Sequence, residues 1–144
     1  MKSNQGAGLS LALLLALLMG APVHAAEPEA TLSQGWQFQQ RSGPALYASI
    51  CAGCHMAEGQ GARGAGSYPA LKGNARLASA PYVLMMVMRG NKGMPGFAWQ
   101  LDDEQVLTIA NHAVQRFGPK GAALLSAADV AALRSQMPRQ EPFP

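Results

Sequence analysis

The chain has 144 residues, of which 49% are hydrophobic and 13% charged, and a formal net charge of +3. That length holds about one domain, which excludes a large multidomain enzyme, and the composition excludes a disordered acidic or basic tail protein. The charge is too small and too dispersed to suggest nucleic acid as a partner.

The first element in chain order is a leader. Lys2 precedes an apolar run of 11 residues from Leu9 to Met19, then Gly20-Ala21-Pro22 and Val23-His24-Ala25. A positive start, a short apolar stretch and small residues before a cut read as a secretory signal over residues 1–25, cleaved after Ala25. Crossing a bilayer takes about 20 apolar residues, so a permanent membrane anchor is the weaker reading. Residues 26–42 read as an N-terminal extension. Trp36 and Phe38 alternate with polar residues there, which admits a short strand or a docking flap, while the simpler reading is that Trp36 covers part of the core.

A helix is expected to start with Ser42 as its cap and Pro44 in its first turn. Leu46, Tyr47 and Ile50 form its apolar stripe, and it delivers Cys51. From Gly53 to Gly73, six of 21 residues are glycine, which argues against any regular element. The reading is a loop ending at Tyr68-Pro69-Ala70-Leu71, followed by a single helical turn near 74–78. The next helix takes Ser79 as cap and Pro81 in its first turn and ends at Gly90, with Val83, Leu84, Met86 and Val87 making it almost wholly apolar. Residues 90–100 form a loop broken by glycine and proline.

Asp102 opens a further helix, with Gln105 completing a capping box, and Gly118-Pro119 stops it after Phe117. Val106, Ile109, Ala110, Ala113 and Val114 lie at helical spacing and should pack on the first helix. A last short helix is expected from Ser126 to Gln136, before a tail from Pro138 to Pro144 that cannot continue it.

The two cysteines, Cys51 and Cys54, admit several readings. A disulfide between them would close a very short loop and constrain little of the unfolded chain. A thioredoxin-like pair wants a strand-helix-strand setting that is not seen, and zinc would need His112 to come close. The next residue separates these readings. Cys51-Ala52-Gly53-Cys54-His55 is the pattern for covalent c-type haem attachment. Two thiols three apart on a helical turn point the same way and can each form a thioether with a vinyl group, leaving the adjacent imidazole to bind the iron.

Over about residues 43–117 the chain resembles the class I cytochromes c. Four segments carry the resemblance: Gly43-Pro44-Ala45-Leu46-Tyr47 leading into the haem motif, Tyr68-Pro69-Ala70-Leu71, Gly93-Met94-Pro95-Gly96-Phe97, and Leu101-Asp102-Asp103-Glu104-Gln105-Val106. The order is most similar to that in small c-type cytochrome subunits of periplasmic dehydrogenases. The resemblance implies an all-α, class I cytochrome c-like fold of four to five short helices around one covalently bound haem c. It implies a haem-binding core over 43–118 and a C-terminal extension over 119–144.

His55 leaves one axial position on the iron. His112 falls on a helix face that meets the first helix, where relatives carry an aromatic, and reads as a packed side chain. Met85, Met86 and Met88 read as core filler, Met56 is too close to His55 to reach the opposite face, and Met137 lies beyond the core. The resemblance assigns Met94 as the distal ligand, on a loop stiffened by Gly93 and Pro95. It likewise assigns Pro69 as the carbonyl that orients the His55 ring, and Leu71 as a residue packed against the haem. Tyr47, Phe97 and Trp99 read as core or pocket residues. Arg63, Lys72, Arg76 and Arg89 read as solvated surface, any of which could pair with a propionate.

A soft thioether favours Fe(II), and an iron filled on both sides offers no position for a small molecule. The expected function is therefore a periplasmic one-electron carrier rather than an enzyme. It would take electrons from an exported dehydrogenase and pass them to another cytochrome or a terminal oxidase. The alternative is a ligand-binding or peroxidase-like haem protein in which Met94 is displaced.

Overall fold

A computed structural model describes residues 33–34, 37–64 and 66–138. The expected leader at 1–25, Trp36 and the tail beyond residue 138 lie outside the described residues. The elements are mostly helical, which is the expected class. Two short strands come first, β1 (Ser33–Gln34) and β2 (Gln37–Phe38), paired antiparallel with Ser33 opposite Phe38 and Gln34 opposite Gln37.

The first helical stretch has three parts. α1 (Gly43–Leu46) starts where Ser42 accepts from the Ala45 N–H and Pro44 fills the first turn. The helix does not run on unchanged, as the sequence reading had it. Tyr47–Cys51 is a π-helical turn closed by the Ala52 N–H on the Tyr47 carbonyl, and α2 (Ala52–His55) follows. Ser49 lies inside this turn, and its hydroxyl bonds the Ala45 carbonyl at 2.9 Å, a back-bond of the kind that loosens a helical ladder. Such turns are often found at functional sites.

The glycine-rich stretch is also more ordered than expected. β3 (Ala62–Arg63) and β4 (Ser67–Tyr68) form an antiparallel pair, with Ala62 opposite Tyr68 and Arg63 opposite Ser67. Local glycine content lowers propensity, but cross-strand pairing needs only a few extended residues. A 3₁₀ turn at Ala75–Ala78 is capped by Asn74, whose side-chain oxygen accepts from the Arg76 N–H at 3.0 Å.

α3 (Ala80–Arg89) is capped by Ser79 and closed at Gly90. Val83, Leu84, Val87 and Met88 are buried, Met86 is half-buried, and Met85 is exposed, so Met85 is not the core filler expected. α4 (Asp103–Phe117) has the expected capping box between Asp102 and Gln105. α5 (Ala127–Arg134) is shorter than expected and carries a second capping box, between Ser126 and Asp129.

The core lies where α1, α3 and α5 meet α4. Leu46, Met88, Val106, Ile109, Ala110, Val114 and Val130 are all 1% exposed or less. Burial of this kind is the main favourable term in such a fold, at roughly 25 cal/mol per Å² of apolar surface. Met137 packs against this cluster instead of lying beyond it. Among the described residues no helix is long and apolar enough to cross a membrane.

Candidate haem-attachment site

The site is built on the turn that ends the first helical stretch. Cys51 is half-buried, Cys54 is exposed, His55 is buried, and the two thiols are not bonded to each other. Burial, and then the neighbouring Cys54, pushes the Cys51 thiol up to about 12. A thiol–disulfide catalyst needs the opposite, a depressed thiol that attacks as thiolate. Zinc fares no better, since no group of three or more His, Cys, Asp or Glu side chains gathers among the described residues.

His55 is held from outside its own helix. Its Nδ1 lies 2.9 Å from the Pro69 carbonyl oxygen, which makes Nδ1 the protonated nitrogen and leaves the Nε2 lone pair for a metal. The loop reaches this position through Gly61, at φ +69, where a Cβ would lie 2.4 Å from the Tyr68 carbonyl oxygen. Only glycine gives both the left-handed backbone and the close approach. The Gly61 N–H bonds the His55 carbonyl, and the Leu71 and Lys72 N–H groups both bond the Gly59 carbonyl at 2.8 and 2.9 Å. Leu71 is half-buried against the core cluster.

Tyr47 was read as a core or pocket residue, but the bond it makes here was not read from the sequence. The Tyr47 hydroxyl donates to the Met56 carbonyl at 2.8 Å, fixing the exit from the haem motif. Burial, with Cys51 and Glu58 adding and Arg116 opposing, pushes its phenol up to about 12, so it remains a donor. No local pattern marks this bond, because it joins residues on either side of the motif.

Met94 comes from a separate loop after α3. Asn91 and Met94 form a reciprocal backbone pair, at 2.9 and 3.0 Å, and the chain then folds back so that the Phe97 N–H bonds the Val87 carbonyl at 2.9 Å. Gly90, at φ +70, allows the return, since a Cβ there would meet the Met94 carbonyl oxygen at 2.3 Å. Met94 is half-buried, as are Phe97 and Trp99. Arg63, Lys72, Arg76 and Arg89 are all exposed, and Arg76 is engaged with Tyr82, its Nη1 3.4 Å from the hydroxyl.

The donor set fits a covalently attached haem. Two unpaired thiols stand on one turn, beside an imidazole whose other nitrogen is already bonded to a carbonyl. A thioether is carried by a backbone-paired loop, and Ile50, Leu71, Phe97 and Trp99 supply half-buried apolar surface on the same core.

Comparison with known proteins points the same way. Residues 38–113 match the family model described as cytochrome C oxidase, cbb3-type, subunit III. The chain is 31% identical over 123 residues to cytochrome c-552 of Thermus thermophilus, covering 71% of this chain and 80% of that protein. It is 34% identical over 91 residues to the fructose dehydrogenase cytochrome subunit of Gluconobacter japonicus, covering 53% of this chain and 18% of that one. The gluconate 2-dehydrogenase cytochrome c subunit of Pantoea cypripedii is 29% identical over 106 residues, 65% of this chain and 24% of its own. The chain thus spans most of the cytochrome c-552 and less than a quarter of either dehydrogenase subunit. It belongs to the c-type cytochrome family, with the class I cytochrome c fold, covalently attached haem c as its cofactor and electron transfer as its role.

Proposed function

We propose that this cytochrome is an exported one-electron carrier whose haem is joined to Cys51 and Cys54 and ligated by His55 and Met94. The His55 Nδ1 bond to the Pro69 carbonyl carries the reading, because it leaves Nε2 as the ring nitrogen open to a metal in the residue that follows Cys54. The haem iron supplies the one-electron couple. The protein's own task is to hold both ligands still, so that little reorganises when the charge changes. Pro69 suits its role because it has no N–H to satisfy. Leu71 adds apolar cover, and a thioether from Met94 favours the reduced state.

The assigned organisation is a leader over 1–25, an extension over 26–42, a haem core over 43–118 and a C-terminal extension over 119–144. The leader supports a periplasmic location, which is also where the attachment pattern belongs. The dehydrogenase cytochrome subunits among the relatives support a dehydrogenase as electron donor, with another cytochrome or a terminal oxidase as acceptor.

The test is the oxidised holoprotein and its Met94→Ala variant. The parent should show a sulfur-to-iron charge-transfer band and bind cyanide slowly. The variant should lose the band, bind cyanide rapidly and have a lower potential. A parent without the band, or a variant that keeps both properties, would remove Met94 from the iron. Rapid ligand binding by the parent would favour the peroxidase-like reading.

A further inference from the structure

The return limb of the Met94 loop is held by a residue from the far end of the chain. After Met94, residues 97–101 run back beside α3, with the Phe97 and Ala98 N–H groups on the Val87 and Met88 carbonyls. Those bonds use the limb's amides. Two of its carbonyls, Ala98 and Leu101, accept instead from the guanidinium of Arg134, the latter at 3.1 Å. The Arg134 Nε donates to Asp103 Oδ1 in the first turn of α4. One planar group therefore joins the loop, α4 and α5.

The helix behind Arg134 is packed and bonded to the body. Val130 is fully buried, and Leu133 packs on the core cluster. Asn111 closes a two-way bond with Leu125, its Nδ2 on the Leu125 carbonyl at 3.1 Å and its Oδ1 accepting the Leu125 N–H at 2.9 Å. Met137 lines a shallow cleft with Met88, Gly96 and Trp99, so the chain beyond α5 also borders this limb. The Arg134 side chain is 25% exposed, against 51% for Asp103, so the bridge is sheltered on the arginine side. Lysine cannot replace this arrangement, because it has no fork to reach three acceptors at once.

We propose that Arg134 is a positioning residue for the distal ligand: by fixing residues 98–101 it sets how readily Met94 leaves the iron. This rests on Met94 being that ligand. Releasing a loop ligand requires the loop to open, and opening that breaks charge-assisted bonds is populated less. The proposal gives the C-terminal helix a function in the redox site rather than only in the core.

The experiment uses the oxidised holoprotein, its Arg134→Gln and Arg134→Lys variants, and Leu77→Val as a control. Leu77 is buried next to Gly118, at the opposite end of α4 from Arg134. Imidazole affinity, the sulfur-to-iron band and hydrogen exchange at Phe97 and Ala98 are measured for each. Arg134→Gln should raise imidazole affinity at least about tenfold, the effect of losing one of its charge-assisted bonds to the limb, and speed exchange at both amides. Arg134→Lys should recover only part of the loss. Leu77→Val should lower the melting temperature without either effect. If the parent shows the band but Arg134→Gln leaves affinity and exchange unchanged, the proposal is overturned and the axial assignment stands. Equal effects from Leu77→Val also overturn it. A parent without the band removes the axial assignment, and the proposal falls with it.

Discussion

At Met56 the backbone takes φ 65 and ψ 158, a region that is nearly reserved for glycine. The conformation persists because both of its backbone polar groups are used. Its N–H bonds the Ala52 carbonyl, and its carbonyl accepts from Tyr47 Oη and from the Gly59 N–H. The strain lies directly after His55, where the chain must leave the helix and turn toward Pro69. Met56→Gly should therefore stabilise the protein by about 1 kcal/mol, since relief of the strained backbone exceeds the entropic cost of glycine. Thermal unfolding of the holoprotein measures it, and a lower melting temperature would contradict it. The identities of the residues in the haem motif were plain from spacing. The strain at Met56 was not, because no local preference favours it and only tertiary bonds impose it.

At the scale of elements, the crossing of α1 and α4 decides the architecture. A Cβ on Gly43 would lie 2.6 Å from the His112 Cβ, so the two helices touch with nothing between them. His112 sits 5.9 Å from the Tyr47 ring and 6.5 Å from Phe117, centre to centre. Burial, and then the nearby Arg116, holds its imidazole below the usual histidine value. Folding thus favours the neutral ring. The contribution is fully present above the unfolded value of about 6.5 and is lost as pH falls through the folded one. His112→Phe should flatten the acid side of the melting profile, by less than one proton per molecule. An unchanged slope would exclude His112 as a source of that acid sensitivity.

The helix starts were legible because Ser42, Ser79, Asp102 and Ser126 each carry a capping oxygen that belongs to the local sequence. The π turn was not legible, since no residue pattern separates an i to i+5 turn from the α-helix around it. The strand pair at 62–68 was missed for a related reason. Its partners make each other extended, whereas each alone reads as loop.

At the scale of the molecule, the charge balance shapes the encounter with partners. A formal net charge of +3, one lysine of it in the expected leader, gives little long-range steering. The rate of reduction by a partner should therefore change less than about threefold between low and physiological salt, as stopped-flow measurement would show. A steep decline with salt would indicate a clustered charge surface instead. The N-terminal strands join the same body through Gln105. Its Nε2 donates to the Phe38 and Gln40 carbonyls at 2.7 and 2.9 Å while its Oε1 accepts from the Asp102 N–H. The sequence showed Gln105 as a cap. It did not show this second task, because the acceptors lie more than sixty residues earlier.

The contact of Gly43 with His112 also has a consequence for biosynthesis. The opening turn of the haem core finds its partner only in the last long helix. A polypeptide delivered N-terminus first must therefore stay unfinished through most of its emergence. Premature termination before that helix would yield no smaller native form, only a strand of residues for proteases to clear.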